Sequence, residues 1–190
     1  QVYMQQGNDL LKVKDFAGAA GSYQNAVDAD TTNGMASLRL GMALASAGDI
    51  AGAEAAYNAA IRHGQQSNAV KQLSNMYLKL AAASLKAKKY EDAVAYALAA
   101  NEYMQNATSM KIAGTASAQL QKNTDAIAYL EQYTLLAPNA RDVDDMYYTI
   151  AVLAQQGGDN AKACGYYQKL TGNAKYGETA KQQIAALKCN

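Results

Sequence analysis

Five pairs of small residues constrain what this chain can fold into. Gly7, Gly41, Ala81, Gly114 and Ala151 form one series, and Ala19, Ala53, Ala93, Ala126 and Ala163 each follow 12 residues later. Both series advance by the same irregular steps of 34, 40, 33 and 37 residues. Two series sharing irregular steps mark one structural unit repeated five times. Between the small residues of a pair lies a turn-like stretch, such as "AGD" (Ala47–Asp49) or "GGD" (Gly157–Asp159). There a Gly ends one helix and an Asp caps the next. Helices cross closely only where side chains are small, because the ridges of one must enter the grooves of the other. Each unit therefore reads as two antiparallel helices.

The expected pairs are Val2–Val13 with Phe16–Ala29, Gly34–Ala47 with Ile50–His63, and Asn68–Ala87 with Tyr90–Met104. Ala107–Leu120 with Asn123–Leu136 and Asp142–Gln156 with Asp159–Thr171 complete the five. A last helix, about Tyr176–Lys188, closes the series with apolar Ile184, Ala185 and Leu187 on one side. The step of 40 places six extra residues before the third pair, and the stretch from Asn68 to Lys88 holds no breaker, so a longer helix is expected there. Composition agrees. One Pro in 190 residues leaves too few breakers for a strand-and-turn protein. Seventeen basic and 16 acidic residues leave no electrostatic footprint for nucleic acid. The run Met146–Gly158 has 13 uncharged residues, where a membrane-spanning helix needs about 20.

The pattern resembles the tetratricopeptide repeat family over essentially the whole chain. In that family a small residue of the first helix meets one of the second, as Gly7 with Ala19 and Gly41 with Ala53 would here. Its aromatic positions fall on Tyr3, Phe16 and Tyr23, on Tyr57, on Tyr77 and Tyr90, and on Tyr147 and Tyr167. Its third small position falls on Ala26, Ala60 and Ala100, but on Tyr133 and Leu170 in the last two repeats. Those repeats also put Asn123 and Asn160 where an aromatic or aliphatic residue belongs. The resemblance implies an all-α, right-handed superhelical solenoid of antiparallel helix pairs. It would form one domain over residues 1–190, with repeats at about 1–33, 34–67, 68–106, 107–140 and 141–174 and a capping helix at about 176–188.

The resemblance also implies a concave groove lined by first helices. By correspondence it would hold Met4, Asn8 and Leu11, then Leu38 and Met42, then Leu78 and Leu85, and last Lys111, Tyr148 and Val152. The opposing reading is that these residues pack between neighbouring helices. This lining, apolar and Met-bearing at its N-terminal end, suits a protein segment, since Met adapts to irregular partners. Some family members grip an acidic C-terminus with paired Lys, Asn and Arg. Met4 and Leu38 stand where lysines would, so no such carboxylate clamp is expected from Asn8 and Arg39 alone. The leading expectation is a non-enzymatic scaffold for a peptide or helix, whose identity and oligomeric state the sequence leaves open. The alternatives are a structural subunit of an envelope assembly, or a glycan or small-molecule binder using Tyr148 and Tyr166 as stacking platforms.

No cofactor, metal or catalytic centre is expected. His63 is the single histidine and falls where a helix ends. "DADTTNG" (Asp28–Gly34) puts Asn33 and Arg39 where a calcium loop needs Gly and Glu. Asp142 reads as a helix cap, and the phosphate-loop, dinucleotide, zinc-protease and serine-elbow motifs are missing. Cys164 and Cys189 sit at comparable distances from the turn near Gly172–Lys175, so antiparallel helices would bring them together. Two separately packed thiols are the other reading. A disulfide would imply an oxidising compartment. Together with Gln1 as a processed start, it favours export to the periplasm or cell exterior over the cytoplasm.

Overall fold

The computed structural model describes residues 1–189, and among these there are eleven helices and no strand. They are α1 (Val2–Lys12), α2 (Phe16–Ala29), α3 (Gly34–Ala47), α4 (Ile50–Arg62), α5 (Gln66–Lys86), α6 (Tyr90–Tyr103), α7 (Ala107–Gln119), α8 (Asn123–Leu136), α9 (Val143–Gln156), α10 (Asn160–Lys169) and α11 (Gly177–Ala186). Helices α2, α3 and α8 have the expected bounds, and the rest differ by a few residues at their ends. The extra residues of the long step extend α5 to 21 residues. Contacts divide the chain into two compact units, Gln1–Met76 and Tyr77 onward, with the division inside α5.

The turn inside every pair is the same turn. Lys14, Gly48, Lys88, Gln121 and Gly158 all take positive φ, between 59° and 90°. The next residue then donates its N–H back across the turn, Asp15 to Leu10, Asp49 to Leu44, Lys89 to Ser84, Lys122 to Ser117 and Asp159 to Ala154. This closes the first helix in a Schellman-type motif. Asp15, Asp49 and Asp159 then cap the second helix, accepting from Gly18, Gly52 and Lys162. Helices α6 and α8 lack that cap and carry Glu91, Asp92 and Asp125 in their first turns, where the helix dipole favours negative charge.

In the N-terminal unit, both pairs close on a glycine. A Cβ at Gly7 would stand 2.5 Å from the Tyr23 ring, and one at Gly41 would stand 2.7 Å from the Tyr57 ring. Tyr23 is fully buried and Tyr57 is 2% exposed. The Tyr23 ring joins a core of Ala19, Ala20, Leu40, Ala43 and Ala56. Gly34 plays a related part at the start of α3, where a Cβ would meet the His63 carbonyl oxygen at 2.2 Å. His63 itself closes α4 as its C-cap.

The C-terminal unit repeats the seat with different sizes. Leu130 rests on Gly114, with 2.6 Å left for a Cβ. In the α5–α6 pair Ala97 meets Ala81, both fully buried, in a core continued by Ile112, Ala113 and Ala116 of α7. In the last pair Tyr167 packs with Ala151, Ala154, Ala163, Leu170 and Ala180. Cys164 and Cys189 are joined, with Cα atoms 5.7 Å apart at a sequence separation of 25. The bond ties α10 to the segment after α11.

Substituting Gly41 with Ala should lower stability by about 1–3 kcal/mol, because the Tyr57 ring must shift. Lys88→Gly should raise it by roughly 1 kcal/mol by relieving a left-handed Lys. Urea denaturation of each variant measures both. Reducing the Cys164–Cys189 bond should cost about 3.5 kcal/mol in the chain-entropy treatment. Hydrogen exchange should then accelerate in α11 before any other helix.

Candidate functional site

Helices α1 and α3 carry the expected lining of the N-terminal unit. Met4 and Leu11 are half-buried and pack against the core cluster that contains Tyr23. The Asn8 side-chain oxygen accepts a 2.8 Å hydrogen bond from the Tyr23 hydroxyl, so Asn8 is committed to holding the knob of its own pair. Burial pushes the Tyr23 phenol above its ordinary value, and the nearby Arg39 charge partly offsets this. Met4 and Asn8 also border an open cleft of about 570 Å3, shared with Gln1, Val2, Gln5 and Asn33. Met42 is half-buried. Leu38 is only 6% exposed, so it belongs to the core and is not displayed on a groove. The repeat register gives it the same phase as Met4, yet Leu38 is buried and Met4 half-buried.

In the C-terminal unit Leu78 and Leu85 pack on the Ala81–Ala116 core and are half-buried. Lys111, Tyr148 and Val152 are also half-buried. Around them lies a polar network. Asp142 does not cap α9. Its carboxylate instead accepts from the Lys111 ammonium of α7 and the Tyr133 hydroxyl of α8. Asp145 accepts from Lys175 Nζ at 2.8 Å and Tyr176 Oη at 2.6 Å. Glu131 accepts from Lys162 Nζ at 2.9 Å and Tyr166 Oη at 3.1 Å. Each carboxylate thus holds one ammonium and one phenol; two trios span successive helix pairs, and that of Asp145 ties the fifth pair to the segment before α11.

The tyrosines expected on display are partly spent within the unit. The Tyr148 ring stacks on Tyr176 at 4.5 Å between centroids and meets Tyr167 edge-on at 6.3 Å. Tyr166 packs against Tyr147 at 5.7 Å, and the Lys169 ammonium lies 4.7 Å and 4.8 Å from those two ring centres. Placing ring faces and hydroxyls against neighbours gives Tyr a partner for both its apolar body and its polar tip.

The trios were not found from sequence, although a signal existed. Lys111 and Asp142 are 31 residues apart, Glu131 and Lys162 also 31, and Asp145 and Lys175 30. Opposite charges separated by slightly less than a repeat mark contacts between repeats. The trios shift the groups in them. Hydrogen bonds from Lys111 and then Tyr133 hold the Asp142 carboxyl below the ordinary aspartate range. Lys175 and Tyr176 do the same for Asp145, whose charge raises Lys175 in return. Burial and the Asp142 contact push Tyr133 up to about 12. Carboxylates held ionised by their own lysines are poorly suited to accept or deliver a proton near neutrality. Among the described residues no three His, Cys, Asp or Glu side chains converge as a metal site requires. Among them, too, no helix is long and apolar enough to cross a membrane.

Residues 4–68 match the family model described as tetratricopeptide repeat. The described helices beyond that stretch carry the same helix–turn–helix geometry. No curated protein matches it in sequence. Among solved structures it is similar to MamA, at 18% identity over 97% of this chain and 93% of that one, with a TM-score of 0.50. A second structure, MamA AMB-1, is 20% identical over 90% of each chain, with a TM-score of 0.51. The P58(IPK) TPR domain is 16% identical over 98% of this chain and 63% of that one, with a TM-score of 0.53. At these identities the likeness establishes the fold alone: an all-α helical-repeat architecture.

The two depressed aspartates set an acid dependence. A carboxyl with a lower pKa in the folded state stabilises the fold above its unfolded value, near pH 4, and that contribution is lost as pH falls through the depressed folded value. Asp142→Asn should therefore cost about 1–2 kcal/mol at pH 7. Its deficit against the parent should shrink as pH falls below about 4, toward pH 2. Guanidinium midpoints at the two pH values measure the change.

Proposed function

We propose that the chain is a non-enzymatic scaffold that holds a segment of another protein against its first helices, in an oxidising compartment outside the cytoplasm. The observation that carries the reading is the tetratricopeptide-repeat fold together with the half-buried first-helix residues Met4, Leu11 and Met42. These leave apolar edges accessible while their bodies are anchored. The open cleft by Met4 and Asn8 adds polar amides beside that apolar edge. The Cys164–Cys189 bond supports the compartment, since cytosolic thiols are ordinarily kept reduced.

A second reading, a subunit of a larger envelope assembly, has its own observation. Leu135 is 79% exposed, Leu136 38% and Met104 39%, all at the ends of second helices. Exposed large apolar side chains are typical of surfaces buried in an assembly.

A photoreactive residue separates the two readings in living cells. Placed at Met42, it should cross-link a partner protein, whereas at Leu135 it should not. The opposite outcome favours the assembly. For a partner so found, Met42→Asp should weaken binding at least tenfold, while Ala55→Lys on the exposed side of α4 leaves it unchanged. Alkylation in cells without reductant should spare Cys164 and Cys189, and labelling of both would place the protein in a reducing compartment.

A further inference from the structure

The second helices of the third and fourth pairs can be compared position by position within the C-terminal unit. In α6 the side chains of Tyr90, Val94 and Leu98 pack together on the core formed with Ile112, Ala113 and Ala116 of the following helix. Thirty-three residues on, the corresponding positions of α8 are Asn123, Ile127 and Glu131. Two of the three apolar groups have become polar, and the aromatic ring is gone. A cleft of about 240 Å3 is present at that place, lined by Asn123, Ile127, Ala128, Glu131, Leu153 and Ala154, among others. Leu153 and Ala154 are 7% and 1% exposed and stand where Ala116 and Ser117 stand one repeat earlier.

From this juxtaposition we infer that the cleft beside the start of α8 is a binding site for a single aromatic ring of the phenol class, supplied from outside the chain. The floor of Ile127, Leu153 and Ala154 is apolar and matches the surface on which Tyr90 lies. The volume is below the roughly 300–1,000 Å3 of pockets for drug-sized ligands, which suits one ring. The rim offers hydrogen-bonding groups that a phenyl ring would leave unused. The Asn123 amide has no hydrogen-bond partner among the described residues and can pair with a phenolic hydroxyl. Glu131 is held in place by Lys162 and Tyr166, so the polar edge is rigid. The site lies between α8 and α9 and uses none of the first-helix residues named in the reading above.

The test uses the whole protein and two probes, p-cresol and the blocked tripeptide acetyl-Gly-Tyr-Gly-amide. Methyl NMR of Ile127 and Leu153 should show saturable shifts with p-cresol in the parent and in Asn123→Ala. Asn123→Tyr, which supplies the ring from within as α6 does, should abolish those shifts and raise Tm by a few degrees. Binding of both probes with similar affinity identifies a free phenol as sufficient. At least tenfold tighter binding of the tripeptide identifies a tyrosine of a polypeptide as the source. The proposal is overturned if neither probe shifts these methyls, if Asn123→Tyr still binds, or if that substitution lowers Tm, because the cleft then has no room for a ring.

Discussion

Everything in this chain depends on one helix of each pair seating a side chain on a small residue of its partner. Tyr23 sits on Gly7, Tyr57 on Gly41 and Leu130 on Gly114, with no room for even one more carbon. Where the seat is Ala81 the knob shrinks to Ala97, and both are fully buried. The close crossing lets the left-handed turn between the helices be so short, and the turn keeps the same backbone conformation whether its residue is Gly or Lys. Lys14, Lys88 and Gln121 adopt a conformation that costs a non-glycine residue roughly 1–2 kcal/mol. Packing of the pair offsets that cost.

The last repeats solve the same stacking problem with polar groups. Where α6 covers the next helix with Tyr90 and Leu98, α8 has Asn123 and Glu131. Three carboxylate–ammonium–phenol trios join neighbouring helices in this region. Such contacts are directional where apolar packing is not, so they determine register as well as adhesion. They also consume side chains that would otherwise be free to meet a ligand. Lys111, Tyr148 and Tyr166 are all engaged within the unit.

This division bears on how a surface of this kind acts. Apolar side chains such as Met4 and Met42 remain half-open after packing, because a long side chain can bury its base and expose its end. A lysine paired with an aspartate has its charge already answered. Recognition is therefore expected where long apolar side chains or unfilled seats remain, and not where the trios have closed. The disulfide confines the final helix by a covalent link that a short ten-residue helix with modest apolar surface benefits from.

The sequence by itself determined the helices, their pairing and the close crossings. Spacing of Gly and Ala carries that information because steric exclusion at a helix crossing is local and depends on side-chain size alone. Two helix starts were legible for the same reason, since Asp49 and Asp159 cap through bonds to residues three positions away. Tertiary structure alone decided the fate of the candidate surface residues. Leu38 and Met42 have similar chemistry and lie one turn apart, yet one is core and the other half-open. Asp142 could serve its own helix or reach Lys111, and only the neighbouring repeat's position settles the choice. Burial and ion pairing depend on which atoms of a distant helix arrive within a few ångströms, and no short-range pattern in the chain records that.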